Sequence, residues 1–259
     1  MEKQDNTVEI LWTGGFDSSF RVVQLSKLPV NIKPYYLSDH RASESRELHA
    51  IENITKTLKK KADTRGTFLD LEIISMDQRE RDEEISRVYH ELLKEDFMGS
   101  QYEWLAWFAK DHKGIEMSVL DDGRINKIIS KYGAIKKISD PLVGDVYVVD
   151  EQVSQQNIIT LFGNYRFPLI GYTKVRMREE YIRLNCEDAM EMTWFCYTPI
   201  EGEFCGKCNP CTYTINEGLS SRFTPEALKR YRKRKRFDRF KATKLGEILR
   251  KFKKYLKSI

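Results

Sequence analysis

Hydrophobic positions along this chain switch between a period of two and a period near four, which separates strands from helices. Residues 8–12 (VEILW) form a short apolar run, read as a buried strand. TGGFDSS follows at once, and then Phe20, Val23 and Leu28 stand at helical spacing. Residues 32–37 read as a second strand, interrupted early by Pro34. Leu48, Ile51, Thr55 and Leu58 share one face and predict a helix over 45–61. Residues 68–74 (FLDLEII) predict a third strand. Charges of both signs alternate through 77–96, the pattern of a solvent-washed helix. An aromatic helix follows over 102–110, ended near Gly114, and 116–120 (EMSVL) predict a fourth strand. Strands alternating with helices imply an α/β fold, a parallel sheet with helices on both faces.

Later segments are less regular. Residues 121–167 hold Asp140-Pro141 and Val143-Gly144 turns and a VYVVD run with the make-up of a strand. Thr224-Pro225-Glu226 starts a helix: a capping threonine, proline at the first helical position, then an acid. Leu245, Ile248, Leu249, Phe252, Tyr255 and Leu256 form an apolar stripe, so the last helix is expected to be amphipathic and docked.

The length of 259 residues suits one generous α/β domain or two small ones, and 41% apolar residues can fill its core. No apolar run approaches the roughly 20 residues of a membrane span. The start, MEKQDNTVEI, is polar and acidic, unlike a secretory signal. The expectation is a cytoplasmic protein without a membrane partner, whose clustered cysteines are reduced metal ligands. The net charge of +5 conceals a division: residues 222–259 carry 16 Lys/Arg against 3 Asp/Glu, and an acidic body precedes them. We therefore expect an α/β domain over 1–185, a metal-binding segment over 186–221 packed on it, and a basic helical tail over 222–259.

The TGGFDSS turn has a mechanical logic. Gly14 and Gly15 let the backbone turn tightly and approach a ligand, and the helix after them offers N–H groups and a positive dipole end to an anion. Thr13, Ser18 and Ser19 add hydroxyl donors. Asp17 would repel phosphate directly, so its place implies either Mg²⁺ or a hydrogen bond to the loop. No lysine follows the glycines, which excludes a Walker P-loop. A plain strand-to-helix turn is the competing reading.

Cys196, Cys205, Cys208 and Cys211 form a C-x8-C-x2-C-x2-C array. Four thiolates suit tetrahedral Zn²⁺, and with every position filled by protein the metal would be structural. A set of reduced, buried cysteines without metal and an iron–sulfur cluster are the alternatives. Cys186 stands apart and reads as a core residue.

TGGFDSS resembles the SGGxDS signature of the PP-loop ATP pyrophosphatases, with Thr13 in place of the first serine. That resemblance implies an adenine-nucleotide fold in which Thr13, Gly14, Gly15, Phe16, Asp17, Ser18 and Ser19 hold the pyrophosphate end of ATP. Leu37 and Asp39 would then lie beside the adenine. Thr193-Trp194-Phe195-Cys196-Tyr197, followed by Cys205-Gly206-Lys207-Cys208-Asn209-Pro210-Cys211, is similar to the zinc segment of the 7-cyano-7-deazaguanine synthases (QueC). Pro168-Leu169, Thr173-Lys174, Asp39 and Arg46-Glu47-Leu48 with Ala50 match further segments, so the resemblance covers roughly residues 8–218. Members of that family adenylate 7-carboxy-7-deazaguanine with ATP, let ammonia displace AMP, and dehydrate the amide to the nitrile preQ0. The resemblance thus implies an ATP-dependent ligase of queuosine biosynthesis using Mg²⁺ and Zn²⁺. Asp17, Ser18 and Lys174 would be catalytic, with Lys174 offsetting phosphate charge, and the protein would be a homodimer.

Two departures leave the acceptor open. Met98-Gly99-Ser100-Gln101 replaces the family's proline, glycine, arginine, asparagine stretch. Leu120-Asp121-Asp122-Gly123-Arg124 stands where its substrate loop is missing. Gln101, Asp121, Asp122 and Arg124 are the candidate substrate residues, or part of an ordinary loop. The product could be nitrile, amide or a conjugate to another amine. The run KRYRKRKR over 229–236 could bind RNA phosphates, which would suit a tRNA-modifying enzyme, or pack on an acidic protein surface. A nucleotide-binding scaffold without catalysis is the third reading.

Overall fold

The first apolar run becomes β1 (Thr7–Leu11), and TGGFDSS leads into α1 (Phe16–Ser26). The returning β2 (Asn31–Ser38) pairs with β1 in parallel, from Thr7↔Asn31 to Leu11↔Tyr35. Alternation along these strands divides the core. Val8, Ile10, Trp12, Ile32 and Tyr36 pack with Phe20, Val23, Ile51 and Leu58, whereas Leu11, Tyr35 and Leu37 pack in a second cluster. In this computed structural model residues 6–78, 81–121, 123–241 and 243 are described. The apolar stripe from Leu245 to Leu256 lies outside them, as does Asp122.

After β2, α2 (Glu44–Lys59) covers the first face. The expected third strand is two pieces, β3 (Thr67–Phe68) and β4 (Glu72–Ser75), both parallel to β2. The break lies opposite Lys33 and Pro34, where proline brings no N–H to the ladder. The charged stretch after it is not merely solvent-washed. Its helix, α3 (Glu83–Glu95), is capped by Asp82, which accepts from the Ile85 N–H at 3.0 Å. Ile85, Val88, Tyr89 and Leu92 fall on one face of α3 and are buried in the second cluster. Alternating charges conceal an apolar residue every third or fourth position. The aromatic α4 (Gln101–Asp111) packs beside it.

The fourth strand is also shorter than expected: β5 (Ile115–Glu116) joins β1 through Ile10↔Glu116, and the chain then turns away. The Val119 N–H donates to the Met117 carbonyl and that of Gly123 to Leu120, so residues 118–120 are committed to turns. Residues 121–167 supply α5 (Arg124–Tyr132) and an antiparallel hairpin of β6 (Ile135–Asp140) and β7 (Gly144–Val149), the second strand holding VYVV. Then come α6 (Gln156–Phe162) and β8 (Tyr165–Arg166), which closes the sheet beside β5. The order β3-β2-β1-β5-β8, with β4 also on β2, makes the central sheet parallel throughout. Residues of α3 to α6 cover one face, and the other lies under α1, α2, α7 (Lys174–Arg183) and α8 (Glu187–Glu191).

This unit runs through Trp194, so Cys186 to Trp194 cluster with the α/β body. The second unit, from Phe195, holds the remaining cysteines, α9 (Asn209–Asn216) and α10 (Pro225–Lys241). Its small core stacks Phe195 on Phe204 at 4.3 Å with Phe223 against both, and the Arg222 guanidinium covers the Phe195 ring at 4.9 Å. Thr224 caps α10 as expected, accepting from the Ala227 N–H at 3.3 Å. Among the described residues no helix is long and apolar enough to cross a membrane.

Candidate nucleotide loop and metal centre

Strand order reverses direction around β1: the chain builds outward through β2 and then returns to β5 on the other side. In parallel α/β sheets the crevice beyond such a switch point, at the carboxyl ends of the strands, is where ligands bind. Thr13, Gly14 and Gly15 leave the sheet there. Gly14 has φ +67°, and a Cβ on it would stand 2.6 Å from the Glu47 carbonyl oxygen, so glycine is required twice over. The Trp194 N–H holds the Gly14 carbonyl at 2.8 Å. Gly15 caps α1 in extended conformation. Thr13 and Ser18 hydroxyls approach each other loosely, at 3.4 Å, while Ser19 is fully buried and accepts from the Trp12 indole at 2.9 Å. Thr13 and Ser18 thus line the loop, whereas Ser19 belongs to the core beneath it.

Asp17 does not point into empty space. The Lys174 ammonium, at the first residue of α7, pairs with its carboxylate and sits 4.5 Å from the Phe16 ring centroid. Both partners keep about a third of their surface in solvent, 34% and 29%, so a ligand can reach them. Thr173 caps α7 by accepting from the Arg176 N–H at 3.2 Å, which fixes where Lys174 emerges.

At the end of β2, Leu37 is buried and its carbonyl accepts from Arg41 at 3.2 Å. Asp39 accepts from the same guanidinium at 2.7 Å. Behind them Glu47 is buried, taking hydrogen bonds from Tyr36 and Ser43 hydroxyls, both at 2.7 Å. Burial foremost, and then the Glu47 carboxylate, push the Tyr36 hydroxyl above its ordinary range.

The candidate substrate residues do not converge. Asp121 accepts from the Gly171 N–H at 3.0 Å, three residues before Lys174. Arg124 is exposed and bonds the Phe97 carbonyl at 3.2 Å. Gln101 is exposed at the start of α4, folded over Gly99.

Sequence reasoning missed a buried pair and a cavity. Arg21, on α1, grips Glu116 of β5 through two hydrogen bonds at 2.7 and 2.6 Å. A charge standing inside Phe20-Arg21-Val22-Val23 was the available signal, since burial there demands a partner. Gln24, one turn on, donates to Tyr172 and Glu180 at 2.9 and 2.8 Å. A cavity of about 500 Å³ opens along this face of α1, with Arg21, Gln24, Tyr172, Arg176 and Glu180 on one side and Tyr147 of the hairpin on the other.

No protein-family model matches the chain, and no curated protein matches it. The chemistry therefore rests on the residues themselves.

In the second unit the four sulfurs of Cys196, Cys205, Cys208 and Cys211 lie within 4.8 Å of one another. The Cys205–Cys211 and Cys208–Cys196 separations are 3.8 and 4.0 Å. A tetrahedron with zinc–sulfur bonds of about 2.3 Å has edges of roughly 3.8 Å, so the cluster has the size of a four-thiolate zinc site. Backbone N–H groups of Cys205, Lys207 and Cys208 donate to the sulfurs at 3.2–3.3 Å, the support that thiolates need. Without a cation the thiols compete for protons. The hydrogen bond from Cys196 holds Cys208 well below the usual thiol range, while its counterpart pushes Cys196 up to about 12. A divalent cation removes that conflict. Gly206 has φ +68°, and a Cβ there would collide with the Ala227 carbonyl, so this turn and α10 are fitted to each other.

Proposed function

We propose that the protein is a PP-loop ATP pyrophosphatase related to the 7-cyano-7-deazaguanine synthases, which adenylates a carboxylate and releases pyrophosphate. The observation that carries this reading is the pairing of Asp17 with Lys174, two residues far apart in sequence, beside a Gly-Gly turn at the sheet's switch point. On this reading the α1 N-terminus, Thr13 and Ser18 bind the β and γ phosphates through N–H and O–H donors. Lys174 exchanges Asp17 for phosphate oxygens and stabilises charge that grows as the α–β bridge breaks. Asp17, so released, is free to hold Mg²⁺, which would neutralise the leaving pyrophosphate. Adenine lies against Leu37 and Asp39. The acceptor carboxylate attacks the α phosphorus to give an acyl adenylate, and an amine or ammonia then displaces AMP.

For the acceptor this reading uses the cavity beside α1. Arg176 stands there with its guanidinium 4.4 Å from the Tyr172 ring centroid and, among the described residues, no carboxylate partner. It would receive the acceptor's carboxylate, with Tyr147 and Tyr172 flanking a planar ring such as a deazaguanine. The four cysteines would bind zinc as a structural metal, since no ligand position stays open.

The test is product analysis of labelled ATP incubated with 7-carboxy-7-deazaguanine and ammonia. AMP and pyrophosphate are expected; ADP and phosphate would refute the reading. Mass spectrometry of the organic product distinguishes nitrile, amide and conjugate.

A further inference from the structure

The basic helix α10 has two unlike faces. Its inner face is anchored within the second unit. Arg230 donates to the Cys205 carbonyl at 2.8 Å, and Arg234 to the Lys207 carbonyl and, at 3.0 Å, to Asn209. Tyr231 donates to Asn216 at 2.6 Å, and Ala227 is fully buried against Gly206. These contacts, on successive turns, fix the rotation of the helix about its axis. The acid Asp238 lies on this inner side and pairs with Arg234.

The outer face is therefore also fixed. Lys229, Arg232, Lys233, Arg236 and Arg239 are exposed there and, among the described residues, have no carboxylate partner. At 100° per residue they fall, with Phe237 and Phe240, within an arc of about 160° that holds no acid beyond the first turn. Cations three and four positions apart repel on a helix, so this face carries an electrostatic cost that a polyanion would relieve. The two phenylalanines are 56% and 43% exposed, although each could have been polar without loss to the unit's core. Rings set among unpaired cations fit bases joined to phosphates.

We propose that the outer face of α10 binds single-stranded nucleic acid, with Lys229, Arg232, Lys233 and Arg236 on phosphates and Phe237 and Phe240 stacked on unpaired bases. Duplexes offer phosphates but keep their bases stacked, so the rings favour single strands. The inference is independent of the nucleotide reading of the first unit, because it rests on residues of the second.

The experiment titrates the full chain against a fluorescent oligouridylate, an oligothymidylate and a duplex of equal length, across a series of salt concentrations. Single strands should bind more tightly than duplex, with affinity falling steeply as salt rises. The ribose arm and the deoxyribose arm distinguish RNA from DNA. Replacing Arg232, Lys233 and Arg236 together by Gln should flatten the salt slope by about 2, at roughly 0.7 per lost phosphate contact. Phe237→Ala with Phe240→Ala should lower single-strand affinity about 30-fold or more and leave the slope unchanged. The pair Arg232→Lys and Arg236→Lys should bind like the parent, which separates lost charge from lost fold. Absence of binding at low salt, equal affinity for duplex, or unchanged binding in the Gln variant would overturn the proposal. Polyglutamate competing as well as oligouridylate would also overturn it and point to an acidic protein partner.

Discussion

Arg21 and Glu116 join α1 to β5 by a two-pronged ion pair at 2.7 and 2.6 Å, with side chains only 6% and 1% exposed. The pair holds the helix that follows the Gly-Gly turn against the strand on the other side of the switch point. A buried pair need not stabilise more than apolar residues of the same shape, but a lone buried charge is costly. Glu116→Gln or Arg21→Met alone should lower stability by about 3–5 kcal/mol. Arg21→Met combined with Glu116→Leu should recover much of that loss. Urea unfolding of the two single variants and the double variant checks the cycle. Strict additivity would mean that the two side chains act independently.

Much of the fold could be read from periodicity, because β1, α1, β2 and α2 carry clear apolar spacing. What escaped had physical causes. The interruption between β3 and β4 reflects Pro34 on a neighbouring strand, a cross-strand effect that no local window contains. α3 looked solvent-washed because its charges outnumber the four residues that dock it. In the candidate site, Thr13 to Ser18 and the cysteines were legible since their spacing is local. Arg21 and Glu116 were not, because each takes its meaning from a partner 95 residues away. Arg176 was not, because the cavity it lines is closed on its far side by Tyr147 of the hairpin. Ser19 was expected at the nucleotide, yet its hydroxyl is committed to Trp12.

The Asp17–Lys174 pair yields a kinetic prediction. If Lys174 stabilises charge that develops on phosphate, Lys174→Ala should lower kcat by about 100-fold or more while ATP binding changes little. Lys174→Arg should retain part of the rate. Asp17→Asn should weaken dependence on Mg²⁺ concentration. Initial rates of pyrophosphate release, at several Mg²⁺ concentrations, read all three. Equal losses in ATP affinity and kcat/KM would assign Lys174 to ground-state binding alone.

Arg176 separates the acceptor from the nucleotide. Arg176→Ala should raise KM for the carboxylate by roughly tenfold or more, the loss of a charge-assisted contact, with ATP affinity unchanged. Arg176→Lys should recover less than half of the loss in free energy, because a point charge cannot replace a planar fork. Isothermal titration with each ligand separately provides the check. Parallel loss of ATP binding would show that Arg176 instead supports Lys174, two residues before it on α7.

Metal removal tests the second unit. Four sulfurs within 4.8 Å of one another stand at the spacing that a tetrahedral cation bridges with four equivalent bonds. Zinc bound there should contribute on the order of 10 kcal/mol to folding of the unit. Chelation should therefore unfold the second unit first, and thiol labelling should report it: Cys196, Cys205, Cys208 and Cys211 unreactive with metal, reactive without. Cys186 should stay unlabelled in both states, since burial is the main influence raising its thiol pKa and its side chain bonds the Leu184 carbonyl inside the first unit. Gly206→Ala supplies an independent arm. Its Cβ would collide with the Ala227 carbonyl, and φ +68° strains any L side chain in this turn, so metal affinity should fall together with the order of α10. Amide exchange across 225–241 in that variant reads the helix directly. A Gly206→Ala protein with parental zinc affinity and a protected α10 would show that the turn and the helix are not coupled.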